Sequence, residues 1–321
     1  MKDLHVLPKV RDSWSHLYVE HCKIDQDAKA IALHDAKGKT PVPVATLTLL
    51  MLGPGTSVTH AAIRALADNG CLVAWTGEEG VRFYAQGMGE TRSSSNLLRQ
   101  ARLCIDPQLH LQVVLRMYRL RFGGEWDSAW TLQQIRGKEG IRVREAYARA
   151  SRETGLEWKG RTYQRDDWRA ADPINRALSC ANSCLYGVCH AAIVSAGYSP
   201  ALGFVHTGKM LSFVYDIADL YKVDVTIPVA FQEAANGTEG LETRVRYACR
   251  DRFHRERLLQ RIIPDIDLIL QEESTPLDSE ITPAMLDSDE ALPAGLWDPT
   301  GTVGGGVNHA DPPEGEEQTP W

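Results

Sequence analysis

No two cysteines stand at CxxC spacing, no run of eighteen apolar residues occurs, no P-loop is present, and residues 271–321 contain neither lysine nor arginine. Each absence narrows the field. The cysteines number seven and are scattered: Cys22, Cys71, Cys104, Cys180, Cys184, Cys189 and Cys249. An odd, dispersed set argues against a disulfide framework and for reduced thiols in a cytoplasmic protein. Cys180, Cys184 and Cys189 lie near His190, which raises zinc. Structural zinc sites pair their cysteines more tightly, so packed apolar thiols on a helix are the expectation. Without a long apolar run no membrane span is expected, and MKDLHVLPKVRDSW lacks the apolar stretch of a signal peptide. GPGT at 53–56 and HTGKM at 206–210 both miss the GxxxxGK[ST] pattern, so no nucleotide hydrolysis site is expected.

The missing basic residues of the last segment change the meaning of the net charge. The 321-residue chain carries −7 overall. Residues 271–321 hold twelve acidic residues, and leaving them out gives 35 basic against 30 acidic residues, a net of +5. A basic body with an acidic tail suits a protein that binds a polyanion.

What is present reads as an α+β chain. SWSHLYVEHCKID, AKAIALHD, PVPVATLTLLML, CLVAWTG and VRFYAQG have strand character, with a hairpin turn at Gly38. GPGTSVTHAAIRALADNG reads as one helix, capped by Thr56 or Ser57 and ended by Gly70. Residues 1–86 thus form a β-rich N-terminal domain. QGMGETRSSSN is glycine- and serine-rich, and 87–96 is read as a linker. Residues 97–272 show helical spacing throughout and form the α-helical catalytic domain. The tail, 273–321, is rich in Pro, Gly and acid and is expected to be disordered.

The chemistry concentrates in FVHTGKMLSFVYDIADLYKVD, residues 204–224. His206 precedes a Gly-containing turn. Asp216 and Asp219 follow, three apart on a helix, which puts both carboxylates on one face within reach of one ion. Acids set among FVY and IAD need a cation or a hydrogen-bond network. Oxygen ligands suit Mg²⁺ or Mn²⁺, and an added imidazole favours Mn²⁺. The bland alternatives are a solvated acidic face and a packed histidine. Glu139, among Arg136, Lys138, Arg142 and Arg144, reads by itself as an acid in surface ion pairs.

The segments LGPGTSVTHAAIRALA, GEEGVRFYAQG, RGKEGIRVREAYA, SCLYGV, GFVHTGK, LSFVYDIAD and ACRDRF, in this order, resemble the CRISPR-associated integrase of type I-E systems, the larger subunit of the spacer-acquisition complex. The likeness spans about residues 10–270. It implies an N-terminal β-sandwich and a C-terminal helical domain. It implies metal ligation, by Mg²⁺ or Mn²⁺, at Glu139, His206 and Asp219, with Asp216 as a supporting acid. It implies DNA contacts at Arg64, Arg82, Arg136, Arg144, Arg161 and Lys209. Tyr163, Trp168, Tyr186 and Tyr215 would stack on unpaired bases near the active site. Arg246 and Arg250 belong to the arginine-dense TRVRYACRDRFHRERLLQR and are added as DNA contacts by charge. Two positions depart from the family pattern: His21 stands where an aromatic wedge is usually Tyr, and Ser57 stands where an Arg would meet the backbone.

The resemblance further implies a homodimer, two of which are bridged by a small dimeric partner. Their substrates would be double-stranded fragments with single-stranded 3′ ends, joined to CRISPR repeat DNA. The implied reaction is metal-dependent transesterification by a 3′-hydroxyl, which needs no ATP. The alternatives are a hydrolytic endonuclease acting on branched or repair DNA, which would share every ligand, and a DNA-binding scaffold without catalysis.

Overall fold

The structure is a computed structural model that describes residues 16–28, 30–80, 82–87, 94–123, 126–161, 172–271, 296–298 and 301–303. Tyr163 and Trp168, and most of the proposed linker and tail, lie outside the described residues. Lys9–Gln271 form one compact unit, and residues 1–8 with 272–321 form another.

In the larger unit the first strands are β1 (His16–Val19), β2 (Lys23–Asp27), β3 (Ala30–Asp35) and β4 (Gly38–Pro43). Then follow β5 (Leu49–Leu52), β6 (Ser57–Val58), helix α1 (His60–Asp68), β7 (Leu72–Thr76) and β8 (Phe83–Gly87). They make two four-stranded sheets, ordered β1-β5-β7-β8 and β4-β3-β2-β6. The β3–β4 hairpin closes where expected. Asp35 accepts hydrogen bonds from the amides of Lys37 (2.8 Å) and Gly38 (3.1 Å), and Gly38 takes φ +125°, which a side chain would strain. The cap of α1 is corrected. Ser57 and Val58 pair with Lys23 and Ile24 of β2, so the helix starts later, and Thr59 caps it by accepting from the Ala62 amide at 3.3 Å.

Strand β5 is buried on both faces, and β7 is too except at the exposed Trp75, as their apolar runs suggest. Leu50, Leu52 and Val73 pack with Ile24, Ile31 and Leu66 in a core between the sheets and α1. Leu49, Met51, Leu72 and Ala74 point the other way, into the core of the helical region. One sheet therefore serves two cores, and a fully buried Leu contributes roughly 1.5–3 kcal/mol to either.

The helices are α2 (Ser95–Ile105), α3 (Pro107–Phe122), α4 (Leu132–Thr154), α5 (Pro173–Ser195), α6 (Ser212–Ala218), α7 (Ile227–Ala235), α8 (Leu241–Arg255) and α9 (Leu258–Ile269). Helix α4 opens on a capping box: Gln134 N–H donates to Thr131 Oγ1 and the Thr131 amide donates to Gln134 Oε1. It ends at Gly155 in the left-handed region, φ +70°. Helix α5 is central and packs on α6, α7, α8 and α9. By length and mean hydropathy it could cross a membrane, although polar residues interrupt its apolar run. Its buried residues, among them Leu178, Leu185 and Ile193, instead fill the protein core. Its thiols are packed, as expected. Cys180, Cys184 and Cys189 are free; neighbouring thiols and burial raise the pKa values of Cys180 and Cys184, and burial raises that of Cys189.

In the smaller unit, Leu296–Asp298 (β9) and Gly301–Val303 (β10) pair antiparallel, with Trp297 opposite Thr302. The rest of the tail, expected to be disordered, lies outside the described residues. Apolar and β-branched residues flank the Pro-Thr connection of LWDPTGTV, a pattern that favours a hairpin over coil.

Candidate active site

Asp216, fully buried on α6, organises the site. Its Oδ2 accepts hydrogen bonds from the amides of Phe204 (2.6 Å) and Val205 (3.1 Å). Its Oδ1 accepts from the His206 amide and faces His206 Nδ1, both at 2.8 Å. One carboxylate thus captures three consecutive loop amides and one imidazole nitrogen. Because a carboxylate only accepts, Nδ1 carries a proton, and in the neutral imidazole the lone pair is then on Nε2. Nε2 lies 3.8 Å from Asp219 Oδ2.

The loop can wrap so tightly because residue 203 is glycine. A Cβ there would fall 2.3 Å from the His206 carbonyl oxygen and 2.6 Å from Ser212 Cβ. His110 ties the same loop to α2, its two ring nitrogens 3.0 Å from the Cys104 carbonyl oxygen and 2.9 Å from that of Phe204.

The two acids share one face toward His206, as their spacing predicts: Asp219, the C-cap of α6, is still in the αR region and its amide donates to the Tyr215 carbonyl at 3.0 Å. They take different roles. Asp216 is saturated by its four donors. Asp219 is the acid that faces the open side with His206. It is held by Lys222, whose Nζ lies 2.6 Å from Oδ1. Burial opposes the charge on Lys222, but Asp219 and the Tyr186 hydroxyl more than offset it, so its pKa is raised. Lys222 begins a π-helical turn, Lys222–Thr226, that separates α6 from α7.

Glu139 comes to this place from α4. Arg142, one turn on, grips it through Nε (2.9 Å) and Nη2 (3.1 Å). Between Glu139 and Asp219 sits the guanidinium of Arg121, from the last turn of α3. Nη1 is 3.7 Å from Glu139 Oε1 and Nη2 is 3.7 Å from Asp219 Oδ2. The Arg121 side chain is only 3% exposed. Nη2 also donates to the Asp216 carbonyl (3.3 Å), the guanidinium carbon lies 5.3 Å from the centre of the Tyr118 ring, and Nε has no hydrogen-bond partner among the described residues.

Aromatic rings wall the open side. Tyr215 stands edge-on to His206 at 5.9 Å and to Tyr186 at 5.0 Å, and Lys222 Nζ lies 4.9 Å over Tyr186. The predicted basic residues are spread more widely. Arg136 and Arg144 are exposed on the Glu139 helix, and Lys209 is exposed in the loop after His206. Arg82, exposed just before β8, runs its backbone against Gly187 of α5, where a Cβ would meet its amide nitrogen at 3.0 Å. Arg64 is exposed on α1, 3.9 Å from Asp68. His21 is exposed in a left-handed turn after β1, φ 49°, and Ser57 lies exposed on β6. Three predicted contacts already have partners within the chain. Arg161 donates to Asn175 and Ser179, Arg246 pairs with Glu78 (3.3 Å), and Arg250 pairs with Asp251 (2.8 Å).

Two carboxylates and an imidazole with its Nε2 lone pair directed outward form a donor set that fits Mg²⁺ or Mn²⁺. Among the described residues, no three His, Cys, Asp or Glu side chains already converge on a single ion position. The carboxylates of Glu139 and Asp219 flank a cation, but that cation is Arg121. The donor chemistry fits; chelation needs the two carboxylates to turn from the guanidinium toward His206.

Residues 122–244 match the family model described as CRISPR associated protein Cas1. The chain is 54% identical over 324 residues to the CRISPR-associated endonuclease Cas1 2 of Thermus thermophilus, a match covering 99% of this chain and 97% of that protein. The chain belongs to the Cas1 family. It is also 45% identical over 262 residues to the CRISPR-associated endonuclease Cas1 of Escherichia coli, covering 81% of this chain and 86% of that one. A crystal structure described as a TtCas1–DNA complex superposes with a TM-score of 0.78 at 56% identity, covering 83% of this chain and all of that one. The α+β fold read from the sequence is the fold of this Cas1 relative.

Two cations of the Cas1 site here, Lys222 and Arg121, escaped the sequence reading, and Arg142 entered it only as a surface ion-pair neighbour of Glu139. Lys222 had a local signal, its i+3 spacing from Asp219. Arg142 had the same spacing from Glu139. Arg121 had none, because its partners come from α4 and from the end of α6.

Proposed function

We propose that this chain is a metal-dependent DNA integrase of CRISPR adaptation, which joins the 3′-hydroxyl ends of short foreign DNA fragments to the CRISPR repeat. The observation that carries the reading is the Asp216–His206 pair. A buried carboxylate that fixes one imidazole nitrogen and directs the other toward a second carboxylate is the outer-shell arrangement of a metal-ligating histidine. Glu139, His206 and Asp219 would hold Mg²⁺ or Mn²⁺. When bound, the ion supplies charge neutralisation at the phosphodiester and favours the ionised form of the attacking hydroxyl.

The chain's own residues do the rest. Asp216 keeps the loop and the imidazole in place. Lys209, exposed beside His206, offers a cation to a phosphate oxygen. Tyr215 and Tyr186 offer flat surfaces to unpaired bases at the fragment end. Arg136 and Arg144, on the helix that carries Glu139, reach duplex phosphates. In the reaction one P–O bond of the repeat breaks as one forms to the fragment's 3′-oxygen. The proton lost by the attacking hydroxyl is balanced by one gained at the leaving 3′-oxygen, so no nucleotide is consumed. In this reading the chain acts as a homodimer, two of which are bridged by a small dimeric partner.

The endonuclease names of the relatives favour a second reading, hydrolysis of DNA at the same site. One experiment separates them. The chain is incubated with the small partner, Mn²⁺, a labelled duplex with 3′ overhangs and a supercoiled plasmid carrying the repeat. Label joined to the plasmid supports integration. Shortened DNA without joined product overturns integration in favour of hydrolysis. The absence of either product points to a binding scaffold.

A further inference from the structure

The carboxylates around His206 are already neutralised. Glu139, Asp216 and Asp219 bring three negative charges, and Arg121, Arg142 and Lys222 bring three positive ones at the distances given above. Arg121 is the unusual member. A guanidinium is always charged, and burying it is costly unless anions surround it. Its single described hydrogen bond goes to a main-chain carbonyl, and among the described residues its Nε has no hydrogen-bond partner. Hydrogen bonding therefore does not account for its burial. The two carboxylates at equal 3.7 Å distances do.

We propose that Arg121 is the resident counter-ion of the site, and that it makes firm divalent-cation binding depend on a DNA phosphate. The inference rests on the metal-dependent reading above. Without DNA, Arg121 spaces and holds Glu139 and Asp219 in a charge-balanced cluster. A divalent ion entering there adds two positive charges beside a guanidinium fixed by the Asp216 carbonyl and the Tyr118 ring. Its binding is weakened accordingly. A phosphodiester placed beside the ion restores the balance. Ion and DNA then strengthen each other's binding by the same factor. Arg121 is thus a positioning residue, acting through Glu139 and Asp219.

The test is a Mn²⁺ titration of the full chain, followed by electron paramagnetic resonance of the free ion. It is run with and without a fragment duplex blocked by 3′-dideoxy ends, and DNA alone is subtracted. In the unaltered chain, DNA is expected to tighten Mn²⁺ binding by about tenfold or more. Arg121→Met is expected to tighten DNA-free binding by about tenfold or more and to shrink the gain from DNA, while Arg121→Lys follows the unaltered chain. A purely structural role would loosen binding in Arg121→Met, and that result overturns the proposal. So does a Mn²⁺ affinity in the unaltered chain that ignores DNA, a measurement that needs no variant. If Arg121→Met folds poorly without metal, its melting temperature must rise more steeply with Mn²⁺ than that of the unaltered chain; an equal or smaller rise overturns the idea. Glu139→Gln serves as the separate control: Mn²⁺ binding that survives this change undermines the metal reading itself, whatever Arg121 does.

Discussion

Replacing Asp216 by Asn preserves shape and removes one acceptor oxygen and the charge. Either orientation of the amide is costly. If the NH₂ group takes the place of Oδ2, the Phe204 and Val205 amides face a donor at 2.6 and 3.1 Å. If it takes the place of Oδ1, the His206 amide and Nδ1–H face the donor instead, each at 2.8 Å. Each buried N–H left without an acceptor costs about 1–3 kcal/mol, so the variant is expected to lose about 2–4 kcal/mol in urea unfolding without metal. The second orientation has a chemical consequence. The imidazole escapes the clash by moving its proton to Nε2 and accepting at Nδ1, which removes the lone pair directed toward Asp219. Loss of such an outer-shell partner lowers metal affinity or activity by roughly 10–100-fold. Strand joining in Mn²⁺ should fall within that range, and ¹⁵N NMR should show the change of His206 tautomer. A variant within about 0.5 kcal/mol of the unaltered chain, still protonated at Nδ1 and joining DNA normally, would refute the reasoning.

Three further outcomes are expected. His206→Ala and Asp219→Ala should abolish joining while leaving fragment binding nearly intact, and Asp219→Ala should also lower the melting temperature because Arg121 and Lys222 lose an anion; normal yield from either removes that residue from the site. DNA affinity should fall steeply with salt, with a log–log slope of about −0.9 per phosphate neutralised, and Arg136→Ala and Arg144→Ala should each flatten it by about one contact, whereas a flat titration in the unaltered chain contradicts the binding mode. His190, stacked on Phe83 at 4.0 Å, is pushed down by burial to about 4. The unfolded chain takes up its proton near the ordinary value of about 6.5 while the folded chain stays neutral, so this contribution is complete above about pH 6.5 and is lost as pH falls toward 4. Allowing for solvent around the ring, the loss is about 2 kcal/mol, read as a growing gap in melting temperature between the unaltered chain and His190→Phe; parallel pH profiles would rule it out.

Local pattern made much of the fold legible. The β3–β4 hairpin follows from an Asp and a Gly that can only satisfy that turn, and α4 announces its start with Thr131 and Gln134. The apolar runs of β5 and β7 also gave correct strands. What pattern left open was that their two faces serve different cores, because burial on both sides erases the alternation that would mark a face. The misplaced cap of α1 has a related cause. Thr56, Ser57 and Thr59 are all good caps by residue type, and only the pairing of Ser57 and Val58 with β2 decides among them.

The candidate site divides along the same line. The anionic half is dense in local signal, because His206, Asp216 and Asp219 fall in one short segment. The spacing put both aspartates on the face toward His206, but it could not show that Asp216 is buried and spent on loop amides while Asp219 is left beside Nε2. The cationic half is a tertiary product. Arg121 looks like one more basic residue near a helix C-terminus, where such residues are common. Its role exists only because α3 ends between the Glu139 turn of α4 and the end of α6. A buried cation between two acidic side chains therefore could not be read from its own neighbourhood. The acids point to a metal when taken alone, and with Arg121 among them they point to a metal whose affinity is held down until a phosphate arrives.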